Sequence, residues 1–181
     1  MCPTLPGSLP FLIASIYAPT GVRPEEYQAF YKEATNQIRL LRPGPSSLAI
    51  IGQDANAYFS SLDADCCRPL TSAEKEKSDT LTHLLSDLSL VDSFRACHPE
   101  EAGHTYFSTS HEGLSTRLDH ILIASPLLPF LESATTSGLI AKSDHRAVLT
   151  SLRLPTLGKW KYTFMSLSRR LARRQGSGGK K

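Results

Sequence analysis

The sequence predicts an α/β domain built on a mixed β-sheet, and three observations carry that prediction. Phe11–Tyr17, the periodic run from Pro24 to Leu41 and the apolar run Leu48–Ile51 read in order as strand, helix and strand, a unit whose two strands belong to one sheet. Short strand-like runs then crowd the second half of the chain, which a purely parallel sheet does not accommodate. The 181 residues are 40% hydrophobic and 20% charged, an ordinary globular balance in a chain long enough to bury a single sizeable core.

Taken in order, Phe11–Tyr17 is apolar and ends in Ala18-Pro19-Thr20-Gly21, two strong breakers that put Tyr17 at the mouth of a loop. From Pro24, a good first helical residue, Tyr27, Phe30, Tyr31, Ala34, Ile38 and Leu41 recur at helical spacing until Pro43-Gly44-Pro45 stops them. Leu48–Ile51 reads as a strand buried on both faces, closed by Gly52. Parallel pairing of these two strands would bring Tyr17 and the residues after Gly52 to one edge, where such sheets keep their ligands. Thr71 and Glu74 form a capping box for a second helix whose inner face is Leu81, Leu84, Leu85 and Leu88. Leu90–Arg95 is a strand or a short helix, and His104–Ser108, Leu118–Ile123, Ser133–Leu139 and Ala147–Leu154 complete the strands.

The charge is divided unevenly. Residues 156–181 hold eight Lys and Arg and no acid, so the preceding 155 carry twelve basic against seventeen acidic residues, a mildly acidic body with a basic appendage. Within the appendage Trp160, Phe164, Leu167 and Leu171 recur at helical spacing among Arg169, Arg170, Arg173 and Arg174, which predicts a basic amphipathic helix before a flexible Gly-rich end. It suits a nucleic-acid contact, a membrane-surface helix, a nuclear signal or the start of a further domain. The apolar N-terminal run is short and lacks a basic lead, so no membrane segment or secretory signal is expected, and Cys2, Cys66, Cys67 and Cys97 are read as free thiols of a reducing, intracellular setting, nuclear or cytoplasmic.

Three carboxylate motifs stand at loop-like positions: Asp54-Ala55-Asn56, Arg117-Leu118-Asp119-His120 and Ser143-Asp144-His145. Asp and Asn two apart in extended chain point the same way, and a carboxylate that takes a proton from water beside an amide that donates to phosphate oxygens suits phosphate chemistry. Each motif alone is also an ordinary turn, cap or strand pair.

Ile16-Tyr17-Ala18-Pro19, Ile51–Ala57, Leu90–Arg95, Thr105–Ser108, Arg117–Leu122 and Ser143–His145, in that order, resemble the endonuclease/exonuclease/phosphatase superfamily, and within it most the endonuclease domain of non-LTR (LINE-type) retrotransposons. The resemblance covers roughly residues 11–154, with 155–181 as a basic tail or linker, and Leu154–Trp160 is similar to the usual lead-out towards a reverse transcriptase. It implies a DNase I-like layered α/β sandwich of two mixed sheets flanked by helices, and Mg²⁺-dependent nicking of DNA, with Mn²⁺ as an alternative ion. By the same resemblance Asp54 orients and deprotonates water, Asn56 holds the phosphate, Asp119 fixes His145, His145 donates to the phosphate and Tyr17 bonds a phosphate oxygen. Asp144 lies at the metal, and Thr105, Arg117 and Ser143 lie on the nucleic-acid side. His83, His98, His104, His111 and His120 are read as surface or supporting residues.

The family's N-terminal part supplies an early Asn and the Glu that is its principal metal ligand. The ten residues before the first strand contain neither, and Glu25, Glu26 and Glu33 lie on the first helix, so the chain reads as an N-terminally truncated domain with weakened metal binding and impaired turnover. Two other functions stand beside the nuclease: a non-catalytic retroelement remnant that binds nucleic acid through its basic tail, and a phosphatase of the same superfamily acting on lipid or inositol phosphates.

Overall fold

A computed structural model describes residues 11–42, 47–109, 113–139 and 143–154, together with the strand Tyr162–Ser166. Four strands form the first sheet, in the order β1 (Phe11–Tyr17), β2 (Leu48–Asp54), β6 (Asp119–Ala124) and β3 (Leu90–Asp92). β1 and β2 run parallel, with Tyr17 opposite Asp54, as the strand–helix–strand reading requires. β6 runs antiparallel to β2, with Asp54 opposite Asp119 and Gln53 opposite His120. A small hairpin pairs β4 (Tyr106–Phe107) with β5 (Ser115–Thr116). The second sheet is an antiparallel meander of β7 (Leu131–Leu139), β8 (Arg146–Leu152) and β9 (Tyr162–Ser166), and its β8 and β9 lie against β6.

Helices α1 (Pro24–Leu41) and α2 (Ser72–Leu88) pack together over the other face of the first sheet. Pro24 opens α1 and the Glu26 carboxylate accepts the Arg23 amide behind it; Tyr27, Tyr31, Thr35 and Ile38 are its buried stripe, while Leu41, expected on that stripe, is exposed at the last helical position. The capping box of α2 forms as read: the Glu74 amide donates to Thr71 Oγ1 and the Thr71 amide to Glu74 Oε2. Leu90–Arg95 resolves into both elements offered for it. β3 ends at Asp92, whose carboxylate then accepts the Phe94 and Arg95 amides and starts the short helix α3 (Ser93–Cys97).

Ile50, Ile51, Leu122 and Ile123, from the two central strands, are buried with Leu81, Leu84 and Leu88 in one core. Among the described residues no helix is long and apolar enough to cross a membrane. The basic amphipathic helix expected through Trp160–Leu171 is not formed at Tyr162–Ser166, which is a strand on the edge of β8. Its aromatic and β-branched residues suit a pleated surface, and that preference prevails over the helical spacing. Trp160, Leu167, Leu171 and the arginine cluster lie outside the described residues.

A buried ionic cluster fastens the loop after β2 to the sheet. Arg117 is 1% exposed, and its Nε and Nη1 donate to Asp63 Oδ1 at 2.7 Å and Asp92 Oδ2 at 2.8 Å. Arg95 reaches the same Asp63 at 2.7 Å, and the Arg117 guanidinium lies over the Phe94 ring. Burial would raise the Asp92 carboxyl, but Arg117 and His120 hold it well below the usual carboxylate range. Removing one member leaves a buried charge unpaired. Asp63→Ala is therefore expected to destabilise the fold by about 3–5 kcal/mol in denaturant melts, as a broken buried pair does, whereas breaking the half-exposed Arg39–Asp87 pair should cost under about 1 kcal/mol.

Candidate active site

The register of the first sheet assembles the site. β1 and β2 end where β6 begins, so the chain leaves the sheet at Tyr17 and Asp54 beside the point where it enters at Asp119. Opposed residues on neighbouring strands share a face, so Asp54 and Asp119 lie together while Gln53 and His120 turn the other way, towards Tyr31 of α1 and the Phe59 ring. The second sheet supplies the third group: His145 precedes β8 and is held by a bridge to Tyr106, whose ring lies 5.1 Å from the imidazole.

Asp54, Asp119 and His145 each offer a ligand atom within 4.8 Å of the others, and all three residues are buried. His145 Nδ1 lies 2.7 Å from Asp119 Oδ2, and because a carboxylate only accepts, Nδ1 carries the proton and Nε2 is aimed away from the pair. Burial pulls the His145 pKa down, but the hydrogen bond and charge of Asp119, with the charges of Asp54 and Asp144, lift it above the ordinary histidine value. His145 Nε2 and Asp119 Oδ1 are buried and find no partner among the described residues. An unsatisfied buried polar atom costs about 1–3 kcal/mol, so two of them side by side mark a place where a polar ligand recovers that cost. The two carboxylates fit a divalent cation, and the imidazole can join them only when its Nε2 carries no proton.

Asn56 departs from the sequence reading. Its backbone is left-handed, with φ of 47°, so the extended geometry ends at Asp54 and the two side chains do not simply point the same way. The Asn56 amide nitrogen of the backbone donates to Asp54 Oδ1 at 3.1 Å, and the side-chain Nδ2 donates to Ala18 O at 2.8 Å. Tyr17 is 53% exposed at the rim. Ser143 Oγ accepts the His145 amide, and Asp144, half-buried beside it, is outside the group of three; its carbonyl accepts the Phe107 amide.

Two residues expected on the nucleic-acid side are inside the protein. Arg117 is committed to Asp63 and Asp92, where no substrate reaches it. Thr105 is fully buried; its Oγ1 accepts the Leu118 and Asp119 amides and its carbonyl accepts the Arg146 amide. It joins the start of β6 to the start of β8, and so sets Asp119 beside His145. Nothing in the isolated motifs separates a buried arginine from a surface one; the acids that claim Arg117, Asp63 and Asp92, are 54 and 25 residues away.

This layered arrangement is the fold of DNase I-like AP endonucleases. No family model matches the chain, but it is 30% identical over 176 residues to the DNA-(apurinic or apyrimidinic site) endonuclease 2 of Schizosaccharomyces pombe, covering 88% of this chain and 34% of that protein. The solved structure of an AP endonuclease from Archaeoglobus fulgidus superimposes with a TM-score of 0.68 at 19% identity, over 78% of this chain and 62% of that one. A 3′-5′ exonuclease from Neisseria meningitidis does so with a TM-score of 0.58 at 24% identity, over 71% and 52%. The chain thus spans about a third of the curated relative's length. These neighbours share the DNase I-like fold with this chain; the likeness to LINE-type elements rests on the motifs alone.

The raised His145 pKa fixes a sign. A cation favoured by folding contributes stability that is fully present below the unfolded value of about 6.5 and is lost as pH rises through the higher folded value. Asp119→Asn is therefore expected to lower the thermal midpoint most at pH below about 6.5, with the deficit shrinking well above it. An equal deficit at both ends would show that the imidazolium is not what Asp119 holds.

Proposed function

We propose that the chain is the nuclease part of a retroelement-type protein and that it hydrolyses DNA phosphodiesters with the help of Mg²⁺, Mn²⁺ being able to replace it. The observation that carries the reading is the convergence of Asp54, Asp119 and His145, drawn from three distant segments, on one rim with a buried imidazole nitrogen and carboxylate oxygen that find no partner among the described residues. A product DNA hairpin bound to the Neisseria 3′ phosphatase of the same fold gives the substrate class further support. The LINE-type assignment rests on the six motifs in order, and with it a reverse transcriptase as the downstream partner.

Asp54 orients a water and takes its proton. His145, charged and steadied by Asp119, donates from Nε2 to the phosphate as its charge develops. Asn56 holds the phosphate with the amide hydrogen not spent on Ala18, and Tyr17 reaches a phosphate oxygen from the rim. Asp54 and Asp119, with Asp144 beside them, are the carboxylates to hold the cation. The ion, when bound, neutralises phosphate charge. Ser143 sets the approach of His145 through its backbone amide. The residues from 155 onwards hold eight Lys and Arg and suit contact with the DNA backbone.

Asp54→Ala and His145→Ala are each expected to reduce the Mg²⁺-dependent nicking of plasmid DNA by roughly a hundredfold or more, the scale of a lost acid–base or charge-stabilising group. Nicking at the parental rate by both variants would refute these roles. Deleting 167–181, which leaves β9 in place, is expected to flatten the dependence of DNA affinity on salt, since six phosphate-competent charges leave with it. An unchanged slope would place the backbone contact elsewhere.

A further inference from the structure

We propose that Tyr27 is a positioning residue for the reactive turn Asp54–Asn56, holding Asp54 and Asn56 in working geometry from beneath without touching substrate. The proposal rests on the nuclease reading above for what the turn does, and on the structure alone for how the turn is held.

α1 grips the chain on both sides of Asp54. Tyr31 Oη donates to Gln53 Oε1 at 3.1 Å, and one turn earlier Tyr27 Oη donates to the Ala55 carbonyl at 2.7 Å. Both tyrosines are buried, with ring centroids 4.9 Å apart, out of reach of a substrate at the rim. The Tyr27 ring is fixed in turn by Lys77, whose Nζ lies over it at 5.4 Å and donates to the Val22 carbonyl, tying α2 to the loop that leads into α1.

The turn so held is one that a free chain avoids. Asn56 is a non-glycine residue at φ 47°, a conformation that persists only where surrounding bonds over-determine it. Three of those bonds come from other segments: Ala55 N donates to Leu118 O, Asn56 Nδ2 donates to Ala18 O, and Tyr27 donates to Ala55 O. The first two come from elements that themselves border the site. The Tyr27 bond alone comes from the helical layer, and it fixes the residue between the acid and the amide. Burial pushes the Tyr27 hydroxyl pKa far up, so it stays a donor at every working pH.

Tyr27→Phe removes one oxygen and keeps the ring. Two measurements on the full chain separate positioning from simple support of the fold. Amide hydrogen exchange at Ala55 and Asn56 is expected to rise about tenfold or more while exchange at Ile121–Ile123 of β6 stays unchanged, a local opening in place of a global one. For nicking of plasmid DNA in Mg²⁺, kcat is expected to fall about tenfold with KM unchanged, because misplaced groups lose catalysis before they lose binding. Tyr31→Phe, whose bond is to a side chain, should move both far less. Unchanged exchange at Ala55 and Asn56, or a rise spread equally over β6, would overturn the proposal. If exchange rises locally but the parent chain does not nick DNA, the positioning role stands and the nuclease reading fails.

Discussion

The pairing of Asp54 with Asp119 across β2 and β6 is the constraint on which the rest of the site depends. A one-residue slip of this register would turn Asp119 to the helical face and bring Leu118 or His120 into its place, because alternate residues of a strand face opposite ways. Several independent devices prevent the slip. Ile50, Ile51, Leu122 and Ile123 fill the core only in this register, Ala55 N is bonded to Leu118 O, and Thr105 Oγ1 caps the first two amides of the β6 approach. The converging groups thus inherit their precision from apolar packing and backbone bonds laid down beside them.

The second half of the site depends on joining two sheets. β8 belongs to a different sheet from β2 and β6; beside the direct packing of β8 on β6, the β4–β5 hairpin links the two layers at Thr105 and Tyr106, next to where His145 meets Asp119. Beneath it, Arg117, Asp63, Asp92 and Arg95 form a buried ionic cluster. Such clusters seldom add net stability over apolar packing, because desolvation offsets most of the attraction. Their value here is directional: a guanidinium forked between two acids fixes the Asp63 loop, α3 and the entry to β6 relative to one another, two residues from Asp119.

Much of this was legible in the chain itself. The strand–helix–strand unit, its parallel register and the convergence of Tyr17 with Asp54 follow from apolar periodicity and two sharp stops, because local pattern and tertiary packing agree there. The α2 capping box is local and was readable for the same reason. What escaped the sequence is whatever depends on a distant partner. Arg117 and Thr105 look like surface groups in a one-dimensional motif, yet each is consumed inside by residues many positions away. The turn at Asn56 reverses the simple alternation expected of extended chain, and Tyr162–Ser166 takes the strand that β8 offers it in place of a helix.

The claim that Asp54, Asp119 and His145 form one cation-competent phosphate site is tested most directly by titrating the isotopically labelled chain with Mn²⁺ and following paramagnetic broadening residue by residue. Broadening that is strongest at Asp54, Asp119 and His145 and falls off with distance towards Glu33 and Arg39 of α1 is the result expected. Broadening strongest at the helix acids, or none at saturating Mn²⁺, would contradict it.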